Sequence, residues 1–236
     1  MKFCSVVIPC YNERDNIPLL LKRFAGSLKN RHDIELILVD NGSTDGSGSL
    51  MDELLPQYPF ARKVTVEVNQ GYGYGILTGL RAAEGRFLGW THADRQTDPA
   101  DVVRAVELLY RNGGRKRLYV KGNRKGRPIS DSFFTAGMSA LEFCLTGEWL
   151  DDINAQPNLF SRAFFEKWKN PPHDFSLDLY AFYMARLMHL EILRFPVQFP
   201  ERIHGESKWN TGLQAKWKFI RRTMDYSIRL TKGGVE

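Results

Sequence analysis

Glu35-Leu36-Ile37-Leu38-Val39-Asp40-Asn41-Gly42-Ser43-Thr44-Asp45-Gly46 is the stretch that decides the fold. Its first five residues suit a buried strand, and the strand stops abruptly at a carboxylate, an amide and a glycine turn. Helical spacing resumes over 47–55. The same grammar repeats on both sides. Strands are expected at 5–8, 35–39, 64–68, 87–90 and 118–121, and helices at 16–28, 47–55, 73–83 and 99–110. Asp98 before Pro99 marks a helix start, because the carboxylate caps free N–H groups and proline suits the first turn. Strands that alternate with helices imply parallel pairing through helical crossovers. Ligands of such open sheets bind beyond the carboxyl ends of the strands, which here are the polar runs Pro9 to Glu13, Asp40 to Asp45 and His92 to Gln96.

The second half is less regular, with helices expected at 133–145 and 176–189 and a strand at 192–199. The fold expected is an α/β, Rossmann-like, mixed but mostly parallel sheet flanked by helices over residues 1–210. A C-terminal amphipathic helix and tail occupy 211–236. From Leu213, the residues Trp217, Ile220, Met224 and Ile228 recur at helical spacing, and Lys216, Lys218, Arg221, Arg222 and Arg229 fill much of the remaining surface. Such a helix suits an anionic membrane interface, or packs on its own domain.

Across 236 residues, 33 Lys and Arg against 27 Asp and Glu give a formal charge of +6, which favours anionic partners. Nucleic acid is not expected, since the basic residues form no long run and no zinc-finger signature accompanies them. Cys4, Cys10 and Cys144 read as buried reduced thiols, implying a reducing compartment. Met1 leads directly into the first strand, so no cleavable signal is expected, and no apolar run reaches the ~18 to 20 residues of a membrane span. The expected location is cytoplasmic, peripheral at the cytoplasmic face where a membrane is involved.

Three motifs carry chemistry. Asp40-Asn41-Gly42-Ser43 suits hydrogen bonding to a base and ribose, or a plain turn that caps the next helix. In His92-Ala93-Asp94-Arg95-Gln96 the alternate residues His92, Asp94 and Gln96 point one way if the backbone is extended, and Asp94 is the strongest metal candidate. A diphosphate leaving group needs a divalent cation or several cationic side chains. Arg202-Ile203-His204-Gly205-Glu206-Ser207-Lys208 makes a phosphate clamp or a solvated loop.

Taken in order, Val7-Ile8-Pro9-Cys10-Tyr11-Asn12-Glu13, the Asp40 to Gly46 run, Gly71-Tyr72-Gly73, Gly79-Leu80, the His92 to Gln96 run, Gly122-Asn123-Arg124 and Ser207-Lys208 resemble family 2 glycosyltransferases of the GT-A fold. Within that family the chain is most similar to the dolichol-phosphate mannose synthase and polyprenyl-phosphate glycosyltransferase branch. The resemblance implies that Pro9, Tyr11, Asn12, Glu13, Asp40, Asn41, Gly71, Ala93, Asp94 and Lys208 bind a UDP- or GDP-sugar. It implies Mn²⁺ or Mg²⁺ held by Asp94 and Gln96, and phosphate contacts from Arg124, Arg202, Ser207 and Lys208; by their own chemistry His92 is a candidate further ligand and Arg127 a further cation for the acceptor phosphate. Asp151 or Asp152 matches the aspartate near the transferred sugar, and the match does not choose between them. Asp94, Asp151, Asp152 and Arg202 are thus the catalytic candidates. Two positions depart from the family: His92 stands where the first aspartate of Asp-X-Asp is usual, and Asn41 where the second of Asp-Asp-Gly-Ser is. An imidazole donor favours Mn²⁺ over Mg²⁺.

The implied reaction is an in-line displacement at the anomeric carbon with inversion. The expected acceptor is a polyprenyl phosphate at an anionic membrane surface, which needs no general base because its second ionisation lies near ~6. A saccharide or other hydroxyl acceptor would need a base, and Asp151, Asp152 or Asp178 are candidates, Asp178 alternatively being a structural helix charge. A silent nucleotide- or glycan-binding module is the remaining alternative.

Overall fold

Successive residues of a strand face opposite sides of its sheet, so a strand covered on both faces reads as a continuous apolar run. β1 (Cys4–Cys10) and β2 (Ile34–Asn41) are of this kind. Val6 and Ile8 join Leu36 and Leu38 in one core, whereas Val7 joins Ile37 and Val39 in the other. The first core is closed by α1 (Ile17–Leu28), α2 (Ser47–Leu54) and α4 (Pro99–Arg111), through Leu21, Phe24, Met51, Val102 and Val106. The second is closed by α3 (Tyr72–Ala82) and α7 (Leu177–Leu187), through Ile76, Leu80, Tyr180 and Met184.

The computed structural model describes residues 2–29, 31–93, 97–126, 129–198 and 213–232, with backbone alone at 129–136, 213–219 and 232. Among these, seven strands form one sheet in the order β3-β2-β1-β4-β6-β5-β7. The further strands are β3 (Ala61–Val66), β4 (Phe87–Trp90), β5 (Leu118–Lys125), β6 (Asn158–Ser161) and β7 (Glu191–Gln198). Only β6 runs antiparallel to its neighbours, with Trp90 opposite Asn158 and Asn158 opposite Lys121. Its four residues are too few to show a period, and the sequence reading missed it. β3 starts three residues and ends two residues earlier than expected because it pairs Ala61 with Leu36 and Val66 with Asn41, ending where β2 ends.

α5 (Ile129–Thr146), the short α6 (Arg162–Phe165) and α8 (Leu213–Lys232) complete the chain. α8 packs on α5, where the Ser227 hydroxyl donates to Glu142 Oε2 at 2.7 Å. Its buried residues are Thr223 and Ser227, with Tyr226 and Leu230 packed on the core, while Ile220, Met224 and Ile228 are only half-buried. Among its described side chains the packed face of the helix is therefore centred on Thr223 and Ser227, with Ile220, Met224 and Ile228 beside it. Cys4 and Cys10 are buried free thiols, but Cys144, on the outer side of α5, is exposed, contrary to the sequence reading. No helix among the described residues is long and apolar enough to cross a membrane.

Candidate active site

β1 and β2 end together, Cys10 beside Asp40, and their loops are laced to each other. The Asn12 N–H donates to Ser43 Oγ (3.1 Å), the Thr44 N–H to Asn12 Oδ1 (2.9 Å) and the Glu13 N–H to Ser47 Oγ (3.0 Å). Asn12 takes φ +56°, the left-handed region that asparagine tolerates better than most residues. Asp40 Oδ1 accepts from the Ser43 N–H (3.0 Å), the turn chemistry read in its motif. Asn41 Nδ2 reaches the Gly71 carbonyl (3.0 Å) and so fastens the third loop. Two helices press on these side chains through glycines. A Cβ at Gly48 would collide with Asp40 Oδ2, and one at Gly75 would lie 2.9 Å from Asn41 Cγ. Pro9, Tyr11, Asn12, Glu13, Asp40, Asn41 and Gly71 thus gather along one sheet edge, where Tyr11 is exposed and the Asp40 carboxylate and Asn41 amide are buried. That combination suits an aromatic base and its ribose.

Beyond β4, Ala93 is buried in the core and Thr97 Oγ1 lies 3.2 Å from Thr91 Oγ1 and donates to the His92 carbonyl (3.4 Å), pinning both ends of the 92–97 segment. The His92 ring is half-buried and stacks on Tyr72 at 5.7 Å between centroids. Tyr72 stacks on Phe175 at 4.5 Å, and the Arg222 guanidinium lies 5.5 Å over Phe175. Tyr72, Phe175 and Arg222 were not singled out as site residues from sequence. Only Tyr72 carried a signal, between Gly71 and Gly73. Asp94, Gln96, Arg127, Arg202, His204, Ser207 and Lys208 lie outside the described residues, and among the described ones no three His, Cys, Asp or Glu side chains converge on a metal position.

The third part lies where β5, β6 and β7 meet. Asp152 is 5% exposed, at φ +49°, and its carboxylate accepts from the Arg124 N–H (2.8 Å) and from Arg124 Nε (2.7 Å), with Arg194 Nη2 at 3.9 Å. Asp151 is half-exposed and pairs with Arg194 Nη1 at 2.9 Å. Lys121 is wholly buried beneath them and donates to the carbonyls of Ile153 (2.7 Å) and Ala155 (2.8 Å) and to Asn158 Oδ1 (2.9 Å). Burial pulls this ammonium down to about 7. Asp178 is buried too, and accepts from Gln156 Nε2 (2.8 Å) and Trp90 Nε1 (3.2 Å). These donors assign it the structural role rather than that of an acceptor-facing base. Beside the cluster opens a small cleft of about 60 Å³ between α5, the loop at Ile153 and Asn154, the start of α7 and α8.

Comparison with known proteins bears on the whole arrangement. The profile described as glycosyl transferase family 2 matches residues 5–171. Undecaprenyl-phosphate 4-deoxy-4-formamido-L-arabinose transferase of Edwardsiella ictaluri (strain 93-146) is 30% identical over 217 residues, which are 89% of this chain and 63% of that protein. The protein of the same name from Photorhabdus laumondii is 36% identical over 217 residues, 89% of this chain and 64% of that one. The chain therefore spans less than two thirds of these relatives' length. Among solved structures, glucosyl-3-phosphoglycerate synthase from Mycobacterium tuberculosis with Mn²⁺, UDP-glucose and phosphoglyceric acid superposes with a TM-score of 0.73 at 19% identity, over 98% of this chain and 80% of that one. A mannosyltransferase from Pyrobaculum calidifontis, solved with GDP-Man and Mn²⁺, gives 0.62 at 18% identity, over 98% and 73%. The fold is the GT-A fold expected from the sequence.

Proposed function

The chain belongs to glycosyl transferase family 2, and we propose that it moves a sugar, with inversion and with the help of a divalent metal, from a UDP- or GDP-sugar to a polyprenyl phosphate. One observation carries this reading. The similarity to undecaprenyl-phosphate sugar transferases extends over 89% of the chain, and so includes the half that would meet the acceptor as well as the half that would meet the donor.

In the proposed reaction an acceptor phosphate oxygen forms a bond to the anomeric carbon as the bond from that carbon to the diphosphate breaks, and the nucleoside diphosphate leaves with the electron pair. The acceptor already carries its negative oxygen near neutral pH, so no side chain has to remove a proton. The protein's work is to hold two polyanions in line. Asp40 and Asn41 hold base and ribose, with Tyr11 at the rim and Glu13 and Gly71 shaping the loops. Arg124 and, on the segments outside the described residues, Arg127, Arg202, Ser207 and Lys208 supply charge to the phosphates. The oxygen donors of Asp94 and Gln96, which lie outside the described residues, would suit a divalent ion by their chemistry, and the flanking Thr91 and Thr97 bond to each other one strand away from the nucleotide loops. Mn²⁺ or Mg²⁺ bound there would neutralise charge growing on the diphosphate. His92 stacks on Tyr72 through its ring face, which leaves its in-plane nitrogens to serve as a further ligand. A lipid acceptor brings the chain to a membrane surface, and the half-buried Ile220, Met224 and Ile228 beside exposed Arg221 and Arg229 on α8 support that placement.

Labelled UDP- and GDP-sugars incubated with a short polyprenyl phosphate in detergent, with Mn²⁺ or Mg²⁺, test the reading. Label extracted into organic solvent only when metal is present is the expected result. Donor hydrolysis without lipid labelling would move the acceptor to a hydroxyl, and no turnover at all would favour a silent binding module.

A further inference from the structure

We infer that the amino edge of the sheet, along the ends of β4, β6, β5 and β7, is a docking surface for an acidic segment of a partner protein, on the side facing away from the candidate active site. Arg81, Arg86, Arg111, Arg115, Lys116 and Arg117 are all exposed there. Set against them are Glu84 and Glu107, close by in sequence, and Glu191, which pairs with Arg115 at 3.0 Å, so three positive charges remain in excess. Arg162 and Glu166, at the turn after β6, cancel each other.

The cations form one patch. Gly113 (φ +67°) and Gly114 (φ +57°) take left-handed turns that fold the loop before β5 against the start of β4, where Arg86 Nη2 donates to the Gly114 carbonyl at 2.9 Å. The Ser161 hydroxyl at the end of β6 donates to the Lys116 carbonyl (2.7 Å), and Arg117 Nη2 donates to the carbonyls of Met188 and His189 (both 3.2 Å) ahead of β7. Four strand ends at ~4.8 Å spacing make a row roughly 14 Å long, the reach of about five extended residues. What holds these guanidiniums matters as much as their number. Backbone carbonyls orient Arg86 and Arg117 without neutralising them, and among the described residues no carboxylate pairs with either, or with Arg81, Arg111 or Lys116. A charge already ordered loses less entropy on binding, and its remaining N–H groups suit a carboxylate fork. Glu191 already places one carboxylate on this row. A bilayer is the wrong occupant, by an argument that rests on the lipid acceptor proposed above. The eight residues of β5, at ~3.3 Å each, set this edge roughly 23 Å from the Arg124 end of the strand, well beyond the ~8 Å over which charges act in physiological salt.

Fluorescence anisotropy of labelled hexaglutamate and sedimentation with phosphatidylglycerol-containing vesicles test this in the full chain, with thermal melting to verify folding. Arg111→Gln/Lys116→Gln removes two charges from the edge, at side chains that make no hydrogen bond or ion pair among the described residues, and Arg221→Gln/Arg229→Gln removes two from α8. The wild type should bind hexaglutamate. The edge variant should bind it about 10-fold more weakly, as two lost ion pairs of modest strength imply, and should sediment with vesicles as the wild type does. The α8 variant should keep its peptide affinity within about twofold. Equal weakening in both variants means that only net charge is read, and overturns the site. A wild type that binds no hexaglutamate overturns it too, as does an oligothymidylate of equal charge that displaces the peptide at lower concentration. Loss of vesicle binding in the edge variant would put a membrane on this edge instead. Neither readout uses turnover, so failure of the docking surface and failure of the transfer reaction are told apart.

Discussion

Asp151 and Asp152 are neighbours in sequence and opposites in surroundings. Asp152 is buried between two guanidiniums and a backbone N–H, whereas half of the Asp151 carboxylate faces solvent. Nothing in the sequence separates them, because the distinction comes from the left-handed backbone at Asp152 and from Arg124 and Arg194 on two other strands. Asp152→Asn leaves two guanidiniums underpaired and should cost about 3 kcal/mol, as broken buried ion pairs do. Asp151→Asn should cost under about 0.5 kcal/mol, the range of exposed pairs. Urea unfolding of the two variants decides, and equal losses would refute the division of roles. Lys121, which no motif flags, is the buried peg under the same loop. Its folded value of about 7 lies below the ~10.4 of an unfolded lysine, so between those values the unfolded chain holds a proton that the native state releases. This group's contribution therefore becomes more favourable as pH rises through that window. The stability gap between wild type and Lys121→Met should widen in favour of the wild type from pH 7 to 9.5; a gap that does not change means that the ammonium keeps its proton through its three acceptors.

At the scale of elements, the Asp40-Asn41 pair works because two helices come close enough to seat it. α2 meets Asp40 at Gly48, and α3 meets Asn41 at Gly75. The sequence showed the polar pair and both helices but not this approach, since a glycine in a helical pattern looks the same whether it touches a neighbour or nothing. Gly26, inside α1, has nothing within 4 Å of its missing Cβ. Gly26→Ala should therefore stabilise the protein by about 0.5 to 1 kcal/mol through helix propensity alone. Gly75→Ala must displace the Asn41 amide, should cost about 1 to 3 kcal/mol, and should raise the KM for the nucleotide-sugar. A neutral Gly75→Ala would mean that Asn41 moves aside freely and holds no ligand. The contact of α5 with α8 was also hidden, because it joins helices far apart in sequence through the polar pair Glu142 and Ser227 rather than through an apolar stripe. Burial raises the Glu142 carboxyl, only partly opposed by the Ser227 hydroxyl. Its contribution is complete below the unfolded value near ~4.3 and is lost as pH rises through the folded one. Glu142→Gln keeps an acceptor for Ser227 without the charge, so it should gain stability over the wild type at pH 8 compared with pH 4.5 in chemical denaturation. A constant difference would show that Glu142 titrates alike in the folded and unfolded chain, so that burial does not raise its carboxyl.

For the molecule as a whole, the alternation of strands and helices made the parallel half of the sheet legible, since each crossover is local and each strand is buried on both faces. The antiparallel β6 and the polar cluster on β5 and β7 were not, because they arise from pairings between segments with no periodicity of their own. The same sheet separates function from stability along its length. Its carboxyl edge carries the candidate site, and its amino edge carries a second polar clasp in which the buried Glu35 accepts from the Ser5 hydroxyl (2.5 Å), the Glu84 N–H (2.8 Å) and Arg62 Nε (3.1 Å). Burial alone would raise the Glu35 carboxyl, but these donors outweigh it and hold the group below its ordinary value. Nearby, the hydrogen bond from Arg31 holds Asp33 down to about 2. Both folded values lie below the unfolded ones near ~4, so this stabilisation is complete above about pH 5 and is lost as pH falls through the folded values. Glu35→Gln should therefore lower unfolding free energy clearly at pH 7 and progressively less toward pH 3, while leaving substrate KM values unchanged below its melting temperature. A loss of the same size at pH 7 and pH 3 would show that the amide's shape, not the missing charge, weakens the clasp. A shifted substrate KM would show that the two edges of the sheet are coupled after all.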